Sequence, residues 1–185
     1  GNSVTKDHVI RRELPFVPGD EMNTVKIEAG KSRLENLSYF SQVDIRNNAT
    51  GQPGMKDVDV TVTEQSTGNI NFGAGFSSLE RAVVFAEITQ SNFDLFNHRS
   101  LFQGDGQKFR LRMQLGSVSS EVVLSFEEPW LFQKQLGLGF SIFRTSSDYN
   151  SSFYTQIQSG FEVYLRKHLW ELWNGRLSYT YEIYN

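Results

Sequence analysis

Gln107-Lys108-Phe109-Arg110-Leu111-Arg112-Met113-Gln114-Leu115-Gly116 alternates without a fault. Successive side chains of an extended chain point to opposite faces. Phe109, Leu111, Met113 and Leu115 therefore share one face, and Lys108, Arg110, Arg112 and Gln114 the other. The stretch is also long. Strands of soluble sheets run to about 5–6 residues, whereas a strand that crosses a bilayer at a tilt needs about 9–11.

The same period continues in both directions. Upstream, 68–77 sets Ile70, Phe72, Ala74 and Phe76 against Asn69, Asn71, Gly73 and Gly75, and 81–92 aligns Ala82, Val84, Ala86 and Ile88. Downstream, 119–128 sets Val122, Leu124 and Phe126 against Glu121, Val123, Ser125 and Glu127. Residues 136–144 set Leu136, Leu138, Phe140 and Ile142 against Gly137, Gly139, Ser141 and Phe143. Residues 153–166 set Ile157, Phe161, Val163 and Leu165 against Gln156, Gln158, Gly160, Glu162 and Arg166. Residues 176–184 set Leu177, Tyr179, Tyr181 and Ile183 against Arg176, Ser178, Thr180 and Glu182. This predicts about seven long strands joined as antiparallel neighbours. Leu79-Glu80, Ser117-Val118 and 145–152 are short polar joints, while 93–106, 128–135 and 167–175 are aromatic-rich. Alternate joints differ in kind, as they would on opposite sides of a membrane.

Two readings of the faces are open. In a soluble sandwich or lipocalin-like, ligand-binding β-module the apolar face points inward. In a transmembrane barrel it points to lipid and the polar face lines a lumen. The barrel reading makes Arg110, Arg112, Glu121 and Glu127 lumen-facing charges, with the arginines facing the glutamates across strands. It also places Trp130, Phe132, Tyr149, Trp170, Trp173 and Tyr184 at strand ends, where aromatic belts lie. Seven strands do not close an ordinary bacterial barrel, which has an even number. The expectation is thus part of an up-and-down barrel, whose open edges would let two such fragments associate.

Residues 1–66 follow a different rule. Thr5 is placed to cap a helix carrying Val9, Ile10 and Leu14, ended by Pro15 and Pro18-Gly19. A second helix is expected over 20–37, with Met22, Val25, Ala29, Leu34 and Leu37 on one face. Phe40, Val43 and Ile45 mark a strand over 39–46, and 47–54 is a turn cluster. Residues 56–64 then alternate Val58, Val60 and Val62 with Asp57, Asp59, Thr61 and Thr63. Helix, helix, strand, strand is an α+β domain, so the division expected is 1–66 and 67–185.

Other chemistry is thinly represented. The chain of 185 residues has no cysteine, which removes disulfides and thiolate metal sites, and its net charge of -3 gives no electrostatic case for nucleic acid. No run approaches the roughly 20 apolar residues of a membrane helix. His8, His98 and His168 have no ligand spacing, so neither a metal nor another cofactor is expected. Glu127-Glu128-Pro129 reads as a turn element, and Gly104-Asp105-Gly106 as a tight turn without the helix a phosphate loop needs. Arg11-Arg12 is either a solvated face or a contact with a neighbouring domain. No catalytic constellation is present, and an enzyme is not expected.

The opening Gly1-Asn2, Thr5-Lys6-Asp7 and Val9-Ile10-Arg11-Arg12-Glu13-Leu14 resembles the start of a POTRA domain whose first strand is missing here. Gly30-Lys31-Ser32-Arg33-Leu34, with Leu37-Ser38-Tyr39-Phe40 and Val43, resembles that domain's second helix and following strand. The passage from 58–64 into Thr67-Gly68-Asn69-Ile70-Asn71-Phe72-Gly73-Ala74-Gly75-Phe76 resembles the junction of the last POTRA domain with the first barrel strand in the BamA family of outer-membrane assembly factors. Gln90-Ser91-Asn92-Phe93 and Phe126-Glu127-Glu128-Pro129-Trp130-Leu131-Phe132 resemble later parts of that barrel, though 93–106 is longer than the family's usual turn. The resemblance implies a bacterial outer-membrane location with the N-terminal domain in the periplasm. It implies membrane lipid, unfolded β-barrel clients and accessory assembly lipoproteins as partners, and insertion of other barrels as the activity. The related polypeptide-secreting two-partner transporters share both domains and stay open as an alternative. Within the family the first barrel strand is the usual edge, here Gly68, Asn69, Ile70, Asn71, Phe72, Gly73, Ala74, Gly75 and Phe76. It could template a client strand, with Gly73 and Gly75 weakening the seam. Val58, Val60 and Val62 mark a second edge open to strand addition.

Overall fold

The computed structural model describes residues 1–51, 55–78, 81–148, 155–170 and 173–185. Leu79-Glu80, Tyr149, the Trp170 side chain, residues 52–54 of the turn cluster and residues 150–152 of the joint at 145–152 lie outside the described residues. The chain divides into two compact units: Gly1–Thr67 with Asp94–Gly106, and Gly68–Phe93 with Gln107–Asn185.

The first unit contains α1 (Asp7–Arg11), α2 (Thr24–Asn36), β1 (Phe40–Ala49) and β2 (Lys56–Glu64). Lys6, not Thr5, stands at the N-cap of α1, and it makes no side-chain cap. Thr5 is instead buried, and its N–H donates to the Glu64 carboxylate at 2.6 Å. The second helix starts later than the periodicity suggested because Asn23 caps it, its side-chain oxygen accepting from the N–H groups of Val25 and Lys26. Met22 stays outside the helix, and Val25 is 74% exposed. The stripe turned inward is Ile27, Gly30, Leu34 and Leu37. Gly30 is there because a Cβ would press on Leu14 and Pro15 at 3.2 Å.

β1 and β2 pair antiparallel with Val43 opposite Val62 and Ile45 opposite Val60. A bulge between Phe40 and Gln42 brings Phe40 and Val43, three residues apart, onto the same buried face. With Val9, Ile10, Leu34, Tyr39 and Val62 they form the core.

Two polar devices close this unit. The Glu64 carboxylate at the end of β2 accepts from the consecutive N–H groups of Ser3, Val4 and Thr5 at 2.6–3.2 Å. Burial raises its pKa, but these hydrogen bonds outweigh it and bring the value down to about 2. The segment Asp94–Gly106, which the expected division at 66/67 places with the strands, is the second device. Lys6 Nζ lies 2.9 Å from Asp94 Oδ2, which is fully buried, and 3.0 Å from Asp105 Oδ1. His8 Nε2 reaches the same Asp105 oxygen at 3.1 Å, and the Lys6 N–H donates to the Gly104 carbonyl at 2.8 Å. Burial lowers the Lys6 pKa, but the two carboxylates outweigh it and raise it above its ordinary value. Gly104 and Gly106 both take positive φ, and side chains there would collide with the Val4 carbonyl and the Arg12 guanidinium. The Gly-Asp-Gly turn is therefore a saddle over α1. Arg12 is nearly buried against it, while Arg11 is exposed beside Asp7.

The second unit is a seven-stranded antiparallel sheet in sequence order: β3 (Gly68–Ser77), β4 (Arg81–Phe93), β5 (Gln107–Gly116), β6 (Ser119–Glu128), β7 (Leu136–Ser147), β8 (Gln156–Trp170) and β9 (Trp173–Tyr184). The strands hold 10 to 15 residues, enough to cross a bilayer. Residues 167–175, expected as a joint, are mostly strand: His168 faces Asn174, with the His168 ring nitrogen 2.8 Å from Asn174 Oδ1. Register aligns the apolar residues into rows. One runs through all seven strands as Ile70, Ile88, Leu111, Leu124, Ile142, Phe161 and Tyr181. A continuous apolar face with Phe72 and Phe76 more than 80% exposed is what a lipid-facing wall requires.

Candidate functional site

β3 forms one side of the sheet. Its only hydrogen-bonded neighbour among the described residues is β4, and register places Gly68 to Phe76 opposite Gln90 to Ala82. The nine residues of the expected templating edge thus lie on a strand paired on one side. Their packing differs from expectation at one point. Gly73 is not an empty position, because the Phe85 ring of β4 lies across it, so that a Cβ there would come within 2.7 Å of Cε1. The ring supplies the packing that glycine lacks and holds β3 against β4. Gly75 is different; a Cβ there meets only Val83 Cγ1 at 3.6 Å.

The same arrangement recurs on this face of the sheet. Phe143 of β7 covers Gly160 of β8, and Tyr164 of β8 covers Gly139 of β7. The second pair organises the charges. Register puts Glu127, Gly139 and Tyr164 in one line across three strands. Because Gly139 leaves the line open, the Tyr164 hydroxyl reaches over it and donates to Glu127 Oε2 at 2.6 Å. Arg166 pairs with the other Glu127 oxygen, and Lys108 stands 4.0 Å from it. Arg176 lies over the Tyr164 ring at 4.1 Å and binds Glu162 at 2.6 Å.

The four charges read from sequence share this face, but their pairing is only partly as expected. Arg112 approaches Glu121 at 4.0 Å. Arg110 does not face Glu121 or Glu127; it turns to the opposite neighbour and binds Glu87 of β4 at 3.0 Å. Arg110 stands directly between Thr89 and Ser125, so any acid it meets is diagonal. Glu127 is taken by β8, a partner two strands further along the chain that no local pattern announces. Glu128 of the acidic pair accepts the Trp130 N–H at 3.0 Å, and so does serve the turn. At the second proposed edge, Val62 and Val60 are committed to the core of the first unit, and Val58 is half-buried. That leaves the backbone of β2 for any docking peptide. Among the described residues, no three His, Asp or Glu side chains gather as a metal site would require.

Two family models match parts of the chain. Residues 1–65 fit the POTRA family model, described as a surface antigen variable number repeat, and residues 102–185 fit the Omp85 superfamily domain. BamA from Neisseria meningitidis serogroup B, an outer membrane protein assembly factor, is 30% identical over 149 residues, which is 80% of this chain and 18% of that protein. The crystal structure of Haemophilus ducreyi BamA lacking POTRA domains 1–3 superposes with a TM-score of 0.80 at 28% identity, over 98% of this chain and 34% of that one.

The chain belongs to the BamA family.

Membership gives it a bacterial outer-membrane location, with the POTRA unit in the periplasm. It also settles the ambiguity of the faces in favour of the barrel. A putative outer membrane protein assembly factor from Treponema pallidum, 33% identical over 142 residues, extends the relationship to another lineage. The aligned part spans 18% and 16% of these two BamA-family relatives, so the chain is a small fraction of their length.

Proposed function

We propose that this chain contributes the edge-strand region of a machine that inserts and folds β-barrel proteins into the outer membrane. What supports this is β3, the first strand of the sheet, which follows directly on the POTRA unit in sequence and is held to its neighbour β4 by the Phe85 ring over Gly73. A strand edge presents unpaired N–H and C=O groups that template an incoming strand. The relatives' description as assembly factors favours this over secretion. Phe85 is the positioning residue of the edge: its ring over Gly73 keeps β3 extended and in register while the other side exchanges partners.

The test is site-specific cross-linking in the full-length protein with a client arrested during insertion. Cysteine at Asn69 or Asn71 is expected to capture the client's terminal strand, whereas cysteine at Val123 in the middle of the sheet is not. Phe85→Ala is expected to reduce capture several-fold and Phe85→Tyr to restore it. Equal capture at β3 and at Val123 would rule the templating edge out.

A further inference from the structure

The lipid-facing wall carries one irregularity. Among the described residues of the sheet's apolar face, charges stand at Glu128 and Lys167, both in rows at the end where β7 begins, and at Arg144 near the opposite end. Arg144 lies three residues before the end of β7, opposite Val122 of β6 and Ser159 of β8. Its side chain is exposed, and among the described residues it forms no ion pair.

Depth explains how an arginine is tolerated there. On the lipid face of a barrel it costs about 2–4 kcal/mol at the bilayer midplane and about 0–1 near the interfaces. β3 leaves the periplasmic unit at Gly68, and β7 runs in the same direction, so the Ser147 end of β7 is the outer one. Arg144 is the ninth residue of β7, toward the outer end of the roughly 9–11 residues that a span takes, so its long side chain can reach up to the outer headgroups.

The surroundings are built for an anion. Ser159 stands directly opposite Arg144, Ser146 is two residues along on the same face, and Ser120 is opposite Ser146. Directly opposite partners on one face have Cβ atoms about 4.5–5.5 Å apart and diagonal ones about 7–8 Å, so the Arg144 guanidinium and the Ser159 and Ser146 hydroxyls fall within the reach of one phosphate group, with Ser120 extending the polar surface on the β6 side. On β3, β4 and β5 the residues in register with Arg144 are Phe72, Ala86 and Met113, and those in register with Ser146 are Ala74, Val84 and Leu115. The polarity is thus confined to β6–β8 and is no general feature of the rim.

We propose that Arg144, with Ser146 and Ser159, binds the phosphate of an outer-leaflet lipid headgroup on the outside of the barrel. The inference rests on the membrane placement of the sheet and is independent of the templating edge. It is tested on the full-length protein in bilayers of phosphatidylcholine, alone or mixed with lipid A, followed by transfer to mild detergent and native mass spectrometry of retained lipid. The wild type is expected to retain lipid A in preference to phosphatidylcholine. Arg144→Ala is expected to lower that retention about tenfold and Arg144→Lys to lie between. Should Arg144→Ala fail to insert, Ser146→Ala with Ser159→Ala is expected to lower retention about threefold. Retention unchanged in correctly inserted variants, shown by heat-modifiable gel mobility, would overturn the proposal. So would release of lipid A by inorganic phosphate, which would mark a pocket for the free ion rather than for a lipid.

Discussion

Replacing Gly160 by alanine is expected to lower the melting temperature of the folded barrel by about 5–10 °C, corresponding to about 2–3 kcal/mol of overpacking. The cause is specific. A Cβ at Gly160 would collide with the Tyr181 carbonyl on β9 and come within 2.8 Å of the Phe143 ring and 3.2 Å of the Glu182 Cα. A ring can rotate, but the neighbouring backbone cannot retreat without breaking the β8–β9 ladder. Gly75→Ala is the control, because its Cβ would meet only Val83 Cγ1 at an ordinary contact distance. The melting of heat-modifiable gel mobility, or of the β-sheet circular dichroism signal, reads both variants. Equal melting of the two would show that the aromatic-covered glycines are ordinary strand positions.

Glu64→Gln is expected to release the N-terminal segment of the POTRA unit at neutral pH. The carboxylate receives three consecutive backbone N–H groups, and hydrogen bonds to a charged group contribute about 1.5–3 kcal/mol. A loss of about 2 kcal/mol makes the Ser3, Val4 and Thr5 amides exchange with solvent about thirtyfold faster. The pH dependence follows from the direction of the shift. The folded-state pKa, about 2, lies below the ordinary 4.5. The stabilisation is therefore complete above about 4.5 and is lost as pH falls from there toward about 2. Hydrogen exchange followed by mass spectrometry is expected to show wild type and variant converging at the acidic end of that window. Identical protection at neutral pH would mean that the carboxylate does not anchor the segment.

The strand run was legible because its signal is local. In a sheet whose strands pair in sequence order, alternation alone tells which side chains share a face, while the family relationship decided that the apolar face meets lipid. The apolar row through Ile70, Leu111 and Phe161 needed nothing more than that alternation. Helix limits were less legible: Thr5, the cap expected for α1, donates its N–H to Glu64 instead, and α2 starts later than its apolar spacing suggests because Asn23 caps it. The Glu64 anchor left no sequence trace, because its partners are backbone amides about 60 residues away.

By itself, then, the sequence determined the α+β start, the seven long strands, their order and which faces are apolar, because each depends on neighbours along the chain. The tertiary structure decided which residues meet. Arg110 chooses Glu87, Tyr164 crosses Gly139 to Glu127, Phe85 covers Gly73, and Asp94–Gly106 folds onto Lys6 and His8. Those choices depend on cross-strand register and on the space a missing side chain leaves, and both exist only once the strands are paired.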